Sequence, residues 1–315
     1  MKITNNILNL PQKINKIQPA QYNNSYFSNT IKTDSVSFSK KYDDFETKNN
    51  SFKKEMGNYI LFAKEINKNT LQKIVQKYSK DTKMQEYIPE DDIYTAFVGY
   101  EFDDSKKDEA KIASTTLNIA IPKQTTKKDR FHFAQIMIHE GCHVMQQDSD
   151  DREKLGDFFK KELKNSDNPQ KLLEKDMPLA IELNNSLPIV IEKLLDYFQD
   201  DLLKSTINNG IDENISFDEL SKEKGMTDRN FYSLVLSAMY GKTIKQDIDM
   251  EFQLKFLIYY SKMEAEAYMK QYEFIKENLP DMEFDIKYQR YFEFLCNCAK
   301  LRAGMYNRIS EFPLK

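Results

Sequence analysis

The chain has 315 residues, of which 40% are hydrophobic and 12% aromatic, so it can bury a core, and collagen-like, disulfide-dense and wholly disordered classes are excluded. Its 46 basic and 50 acidic residues give a net charge of -4, which is too balanced to predict a nucleic-acid or membrane-surface partner. No stretch approaches the roughly 18 uncharged apolar residues of a membrane-spanning helix, and the first residues lack the apolar run of a secretory signal. We therefore expect a cytoplasmic protein, or one exported by a route that needs no signal peptide.

The first part of the chain divides into a polar tail, a helical region and a β-hairpin. Residues 1–50 are rich in Asn, Ser, Lys and Thr and predict a disordered tail. Apolar residues at helical spacing between Phe52 and Tyr78 predict one helix or two short ones. Residues 93–102 and 114–122 alternate apolar and polar side chains, and the polar link between them predicts an antiparallel hairpin.

The rest of the chain has a helical pattern. The apolar run at 131–147 predicts a helix that is buried nearly all round. Residues 151–250 predict a helical middle region with breaks at prolines, and two long helices are expected after it. The predicted fold class is therefore α+β and mainly helical, with a small β-hairpin or sheet before the 131–147 helix and a large helical C-terminal part.

Two of the three histidines lie four residues apart around a glutamate, in the sequence HEGCH at 139–143. On a helix His139 and His143 lie one turn apart on one face, so both imidazoles can bind one ion at about 2.0 to 2.1 Å, with Glu140 beside them. A bound Zn²⁺ would satisfy two imidazoles that are otherwise costly to bury. Gly141 costs about 1 kcal/mol in a helix interior relative to Ala, which indicates close packing against a neighbouring element. The alternative is that both histidines are hydrogen-bonded core residues and Glu140 pairs with a lysine.

The third ligand of a catalytic zinc must come from elsewhere in the chain, because such a site takes three protein ligands and keeps one position open. In the segment YYSKMEAEAYMKQYEF, Glu264 shares its helix face with uncharged side chains, whereas Glu266 shares its face with charged ones and is expected to be solvated. Glu266 and Glu192 are the competitors for this position, and Glu192 has Asp196 one turn later on the same helix. The sequence favours Glu264. Weaker candidates for the ligand set are Asp148, Asp150, Asp151 and His132.

The motif HEGCH together with the distant EAEAY at 264–268 resembles the gluzincin-type zinc metallopeptidases, whose second motif reads E-x-x-A-D or E-x-E-A-N. The resemblance implies a zincin-like metallopeptidase domain over residues 51–315, with Zn²⁺ held by His139, His143 and Glu264 and with Glu140 as the catalytic base. It also implies that residues 114–122 form the edge strand that holds an extended substrate.

Two features of the chain depart from the pattern of those peptidases. Tyr268 stands where their second motif ends in Asp or Asn. The 121 positions from His143 to Glu264 are a long separation, which implies a helical insertion at about 151–250.

Together these residues predict a zinc-dependent metallopeptidase that acts on a protein or peptide substrate, without a nucleic-acid partner. In the predicted mechanism Glu140 takes a proton from a zinc-activated water and returns it to the leaving amine. No oxyanion donor is assigned, although Tyr259, Tyr260 and Tyr268 lie near the predicted ligand Glu264.

A non-catalytic zinc-bound interaction module, that is, a degenerate zincin, is the alternative function. In that reading the helical region at 151–250 forms the working surface and the metal only joins two helices. A fourth protein ligand such as His132 or Asp148, which would close the catalytic position, would distinguish it.

Overall fold

A computed structural model describes residues 39–87, 96–102, 112–122, 126–146, 153–241 and 248–314 of the chain. The described residues belong to one compact unit. They form a mainly helical structure with one small sheet, which confirms the predicted α+β class. None of the helices in these ranges is long and apolar enough to cross a membrane.

Twelve helices are present in the described ranges, and most are short. In chain order they are α1 (Ser39–Phe62), α2 (Lys68–Tyr78), α3 (Lys127–Gln146), α4 (Glu153–Asn165), α5 (Pro169–Lys171), α6 (Met177–Asn185), α7 (Leu187–Tyr197), α8 (Gln199–Asn209), α9 (Phe217–Glu223), α10 (Asp228–Tyr240), α11 (Met250–Asn278) and α12 (Ile286–Ser310). A π-helical turn at Leu172–Asp176 joins α5 to α6, and a 3₁₀ turn at Pro280–Met282 follows α11. The predicted helical region after residue 151 is therefore mainly helical in its described ranges, with a non-helical segment at 210–216 between α8 and α9.

The sheet contains strands β1 (Thr82–Glu86), β2 (Ala96–Phe102) and β3 (Ile112–Ile119), in the order β1-β3-β2. The predicted hairpin is confirmed, because β2 and β3 pair in antiparallel fashion with Val98 opposite Leu117. The expectation that residues 114–122 form an edge is wrong. Strand β3 lies in the centre and is flanked on its other side by β1, which runs parallel to it. Among the described strands, β2 is the antiparallel edge.

Strand β1 is missing from the sequence prediction because its residues, TKMQE, carry almost no apolar pattern. Only Thr82 and Met84 are buried, on the face that packs inward. A short strand of this kind is stabilised by its pairing with β3 and by the side chain of Gln72 in α2. The Gln72 amide donates to the Thr82 carbonyl at 3.0 Å and accepts from the Met84 N–H at 2.6 Å.

Helix α1 begins at Ser39, so the predicted tail boundary at residue 50 is wrong. Phe45 and Asn49, which the sequence reading placed in the tail, are 3% and 0% exposed. They are buried because this part of α1 packs against helices from much later in the chain, which local composition does not reveal. Residues 1–38 of the predicted tail lie outside the described residues.

Helix α3 is fixed at its start by two polar residues. The Thr126 hydroxyl accepts from the N–H of Asp129 at 3.2 Å and donates to its carboxylate at 2.6 Å, which caps the helix. The Arg130 guanidinium donates to the carbonyl oxygens of Ile60 and Ala63 at 2.9 and 2.7 Å. These carbonyls belong to the end of α1, so one buried cation satisfies them and ties α1 to α3.

The largest apolar core forms where α1, α3, α11 and α12 meet the sheet. A second cluster joins the helices of the middle region to α12, and a third packs α4 and α6 against the first half of α11. Both α3 and α11 contribute to the largest core. The two helices that carry the sequence motifs are therefore held side by side.

Candidate metal centre

The HEGCH motif lies in the C-terminal half of α3, which is buried on nearly every side, as the apolar pattern predicted. His139 and His143 are 8% and 7% exposed. Gly141 faces α1, where a Cβ atom would lie 2.0 Å from the Phe52 ring, so the glycine permits the close packing that its position in a helix suggested. The motif therefore lies within the buried interior of the protein.

Glu264 on α11 reaches the same point from the facing helix. The Glu264 carboxylate lies 3.5 Å from His139 Nε2 and 3.3 Å from His143 Nε2, one oxygen to each histidine. Ligands at about 2.0 to 2.1 Å from a tetrahedral ion stand about 3.3 to 3.4 Å apart. The spacing is compatible with one small ion between the three side chains, because one ligand atom from each lies within 4.8 Å of the others. Glu264 stands 121 positions after His143 in the chain.

The hydrogen bonding of these side chains also fits a metal. His143 Nε2 is buried and has no hydrogen-bond partner among the described residues, although it faces Glu264. The Glu264 carboxylate is the group that this buried nitrogen faces, and a metal ion bound by both would satisfy the imidazole and the carboxylate together. Two imidazoles and one carboxylate are a donor set typical of catalytic zinc. His139, His143 and Glu264 are the residues that could hold the ion.

The charges at the site are coupled in the metal-free protein. Burial would lower the pKa of His143, but the Glu264 carboxylate outweighs it and raises the pKa to about 9. Burial has the opposite effect on Glu264 and would raise its pKa. The two histidines outweigh burial and hold the pKa of Glu264 well below its usual range. Glu264 is therefore an anion at neutral pH, as a ligand of a divalent cation must be.

Glu140 stands next to this group without joining it. Burial raises the pKa of its carboxyl group above the usual value, against the opposing effects of both histidines. The backbone of Val98, in edge strand β2, acts on the Glu140 carboxyl group in the direction that lowers its pKa, but burial has the larger effect. A carboxylate with a raised pKa that lies beside a metal group and is not itself a ligand has the properties of a general base.

Aromatic and cationic side chains surround His139. The Tyr268 ring packs edge-on against the imidazole, with centroids 4.3 Å apart. Tyr268 in turn stacks on Tyr306 and lies under the Arg302 guanidinium, which is 5.6 Å from its centroid. Tyr268 therefore meets His139 through its ring, at the position where the gluzincin motif has Asp or Asn.

Two other candidates from the sequence, Glu192 and His132, do not join His139, His143 and Glu264. Glu192 forms a two-point ion pair with Arg302, at 2.7 and 2.9 Å, so it is a partner of that arginine and not a ligand. His132 accepts or donates one hydrogen bond with Gln135 at 3.0 Å and is not in the metal group. The predicted weaker ligands Asp148, Asp150 and Asp151 lie outside the described residues.

Glu266 differs from its predicted role. The sequence predicts that Glu266 is solvated. In the structure it is only partly exposed and accepts a hydrogen bond of 2.8 Å from the Gln146 side chain. Gln146 is also hydrogen-bonded to His143, at 2.9 Å. The sequence analysis missed Gln146. Its position three residues after His143 makes the two side chains neighbours on the helix surface.

Comparison with known proteins adds no relative: no family model, no curated protein and no solved structure matches the chain.

Proposed function

We propose that the chain is a zinc-dependent metallopeptidase with His139, His143 and Glu264 as the metal ligands and Glu140 as the general base. The main support is the ligand geometry, since three buried side chains from two helices bring their ligand atoms within 4.8 Å of one another, close enough to bind one ion. Zn²⁺ held there would polarise the scissile carbonyl and lower the pKa of a water molecule.

The protein's own residues then carry the proton transfers. Glu140 takes a proton from the attacking water, whose oxygen bonds to the acyl carbon, and delivers it to the amine nitrogen as the C–N bond breaks. The raised pKa of Glu140 suits both halves of this cycle, because a carboxylate of ordinary pKa is a weaker base and is harder to protonate.

Strand β2 is the proposed binding place for an extended peptide. Among the described strands β1 and β2 are the two edges of the sheet, and β2 is the one whose backbone, at Val98, affects the pKa of Glu140. A peptide that pairs with an edge strand gains main-chain hydrogen bonds and is held next to that strand's neighbours. The catalytic carboxylate would then lie close to the bound main chain.

The metal is tested first, by elemental mass spectrometry on protein purified without chelators. We expect about one zinc per chain. Iron in its place would contradict the hydrolytic assignment, because two histidines and a carboxylate also hold iron in oxygen-using enzymes.

Catalysis is tested with Glu140→Gln, which keeps the shape of the side chain and removes the base. Product peptides from unfolded casein are measured by mass spectrometry for the zinc-loaded protein and for the variant. We expect equal zinc content and a loss of hydrolysis of about 100- to 10,000-fold in the variant. A variant with full activity would falsify the mechanism, and zinc without hydrolysis in the unmodified protein would favour the non-catalytic zinc module.

A further inference from the structure

Gln146, the last residue of α3, is 2% exposed and uses all of its amide group. Its nitrogen donates to the Met263 carbonyl oxygen at 3.0 Å and to the Glu266 carboxylate at 2.8 Å. Its oxygen lies 2.9 Å from Nδ1 of His143. One side chain therefore joins a metal-ligand histidine on α3 to two residues of α11.

The partners fix which way the amide points. The Met263 carbonyl and the Glu266 carboxylate can only accept hydrogen bonds, so both must face the NH₂ group of Gln146. The amide oxygen then faces His143, and an oxygen acceptor requires that Nδ1 carries the hydrogen. In the neutral imidazole the lone pair is consequently on Nε2, the atom that faces Glu264 at 3.3 Å.

We propose that Gln146 and Glu266 position His143 for metal binding, by fixing the Nδ1–H tautomer and the ring orientation through the chain Glu266, Gln146, His143. The negative charge of Glu266 polarises the amide, which strengthens the acceptance of the Nδ1–H and makes Nε2 a better donor to the metal. This inference rests on the proposed metal site and adds to it two residues that are not ligands.

The two histidines are supported in different ways. Nδ1 of His139 is buried without a hydrogen-bond partner among the described residues, and that ring is held by contact with Tyr268. Among the described residues, only His143 has its Nδ1 hydrogen-bonded to Gln146 and, through it, to Glu266. Loss of these hydrogen bonds should therefore weaken metal binding by His143 specifically.

The test compares zinc affinities, measured by competition with a chromophoric chelator, for Gln146→Leu and Gln135→Leu. Gln135 is a matched control, because it is a buried glutamine of α3 whose hydrogen bonds go to His132 and Gln271 and not to His139, His143 or Glu264. We expect Gln146→Leu to weaken zinc binding by about 10- to 100-fold and Gln135→Leu to leave it unchanged. Thermal unfolding of the metal-free proteins shows whether each variant is folded.

A second pair of variants keeps the test decisive if Gln146→Leu does not fold. Glu266→Ala removes the acceptor of the Gln146 N–H, whereas Glu266→Gln retains an amide oxygen that can accept it. We expect Glu266→Ala to weaken zinc binding and to change the visible spectrum of the cobalt-loaded protein, and Glu266→Gln, which keeps the hydrogen bond but not the charge, to change both properties less. A purely structural role of Glu266 would not move the cobalt spectrum.

The possible failures are distinguishable. If the unmodified chain binds zinc, Glu264→Ala abolishes binding and the Gln146 and Glu266 variants match the Gln135 control, the positioning role is overturned and the metal site stands. If the unmodified chain binds no zinc, both proposals are overturned.

Discussion

At the scale of single residues, the choice of the third ligand depends on what each glutamate contacts. Glu264 lies between the two histidines, whereas Glu192 is held by Arg302. Both are helix glutamates with a favourable local pattern, so sequence alone left them as competitors. Arg302 belongs to α12, which is distant in sequence from Glu192, and this pairing is visible only in the folded chain.

We predict that Glu264→Ala lowers zinc affinity by more than the roughly 10- to 100-fold expected when a residue that hydrogen-bonds to a ligand is removed. The larger loss is expected because this substitution removes a ligand atom itself. Glu192→Ala should leave zinc affinity unchanged, since it removes only the partner of Arg302. Equilibrium dialysis against zinc measures both. Loss of the metal from Glu192→Ala with retention in Glu264→Ala would refute the ligand assignment.

At the scale of secondary-structure elements, α1 is tied to the helices that carry the site. Lys270 on α11 is 4% exposed, and its ammonium group pairs with Glu46 of α1 and with Glu273. Lys53 of α1 pairs with Glu273 and Glu277 at 3.3 and 2.9 Å. These ion pairs surround the apolar contact between α1 and α11, so the first turns of α1 belong to the folded domain.

We predict that Phe45→Ala destabilises the protein by about 3 to 5 kcal/mol, the usual cost of removing a fully buried phenylalanine. Phe62→Ala is the control on the same helix, because that ring is 70% exposed and its loss should change stability by about 0.5 kcal/mol at most. Urea unfolding gives both free energies. Equal, small effects would mean that residues before position 50 do not pack as described.

At the scale of the whole molecule, the metal group joins two long helices across the main core. His139 and His143 come from α3 and Glu264 from α11, so an ion bound by all three links elements that are far apart in the chain. The unfolded chain does not bring these side chains together, and zinc should bind the folded state preferentially.

We predict that zinc raises the free energy of unfolding, by about 4 kcal/mol when its free concentration is about 1,000 times the dissociation constant. Chelation should reverse the effect, and Glu264→Ala should show little of it. Unfolding is monitored by circular dichroism with zinc or with chelator present. An unfolding midpoint that does not respond to zinc in the unmodified protein would argue against a site within the fold.

The sequence by itself determined the local parts of this protein. The four-residue spacing of His139 and His143 places both on one face of any helix, and the apolar run around them requires burial. Alternating side chains likewise predicted the β2 and β3 hairpin. Such features depend on neighbours within a few residues, which is why a pattern reveals them.

Only the tertiary structure decided which distant residues meet. It placed Glu264 beside the two histidines, buried Phe45 and Asn49 under later helices, and placed β3 in the centre because the polar strand β1 pairs with it. It also gave Glu266, which the sequence predicts to be solvated, a hydrogen bond from Gln146. Each of these outcomes depends on packing between elements far apart in sequence, and no local periodicity encodes that packing.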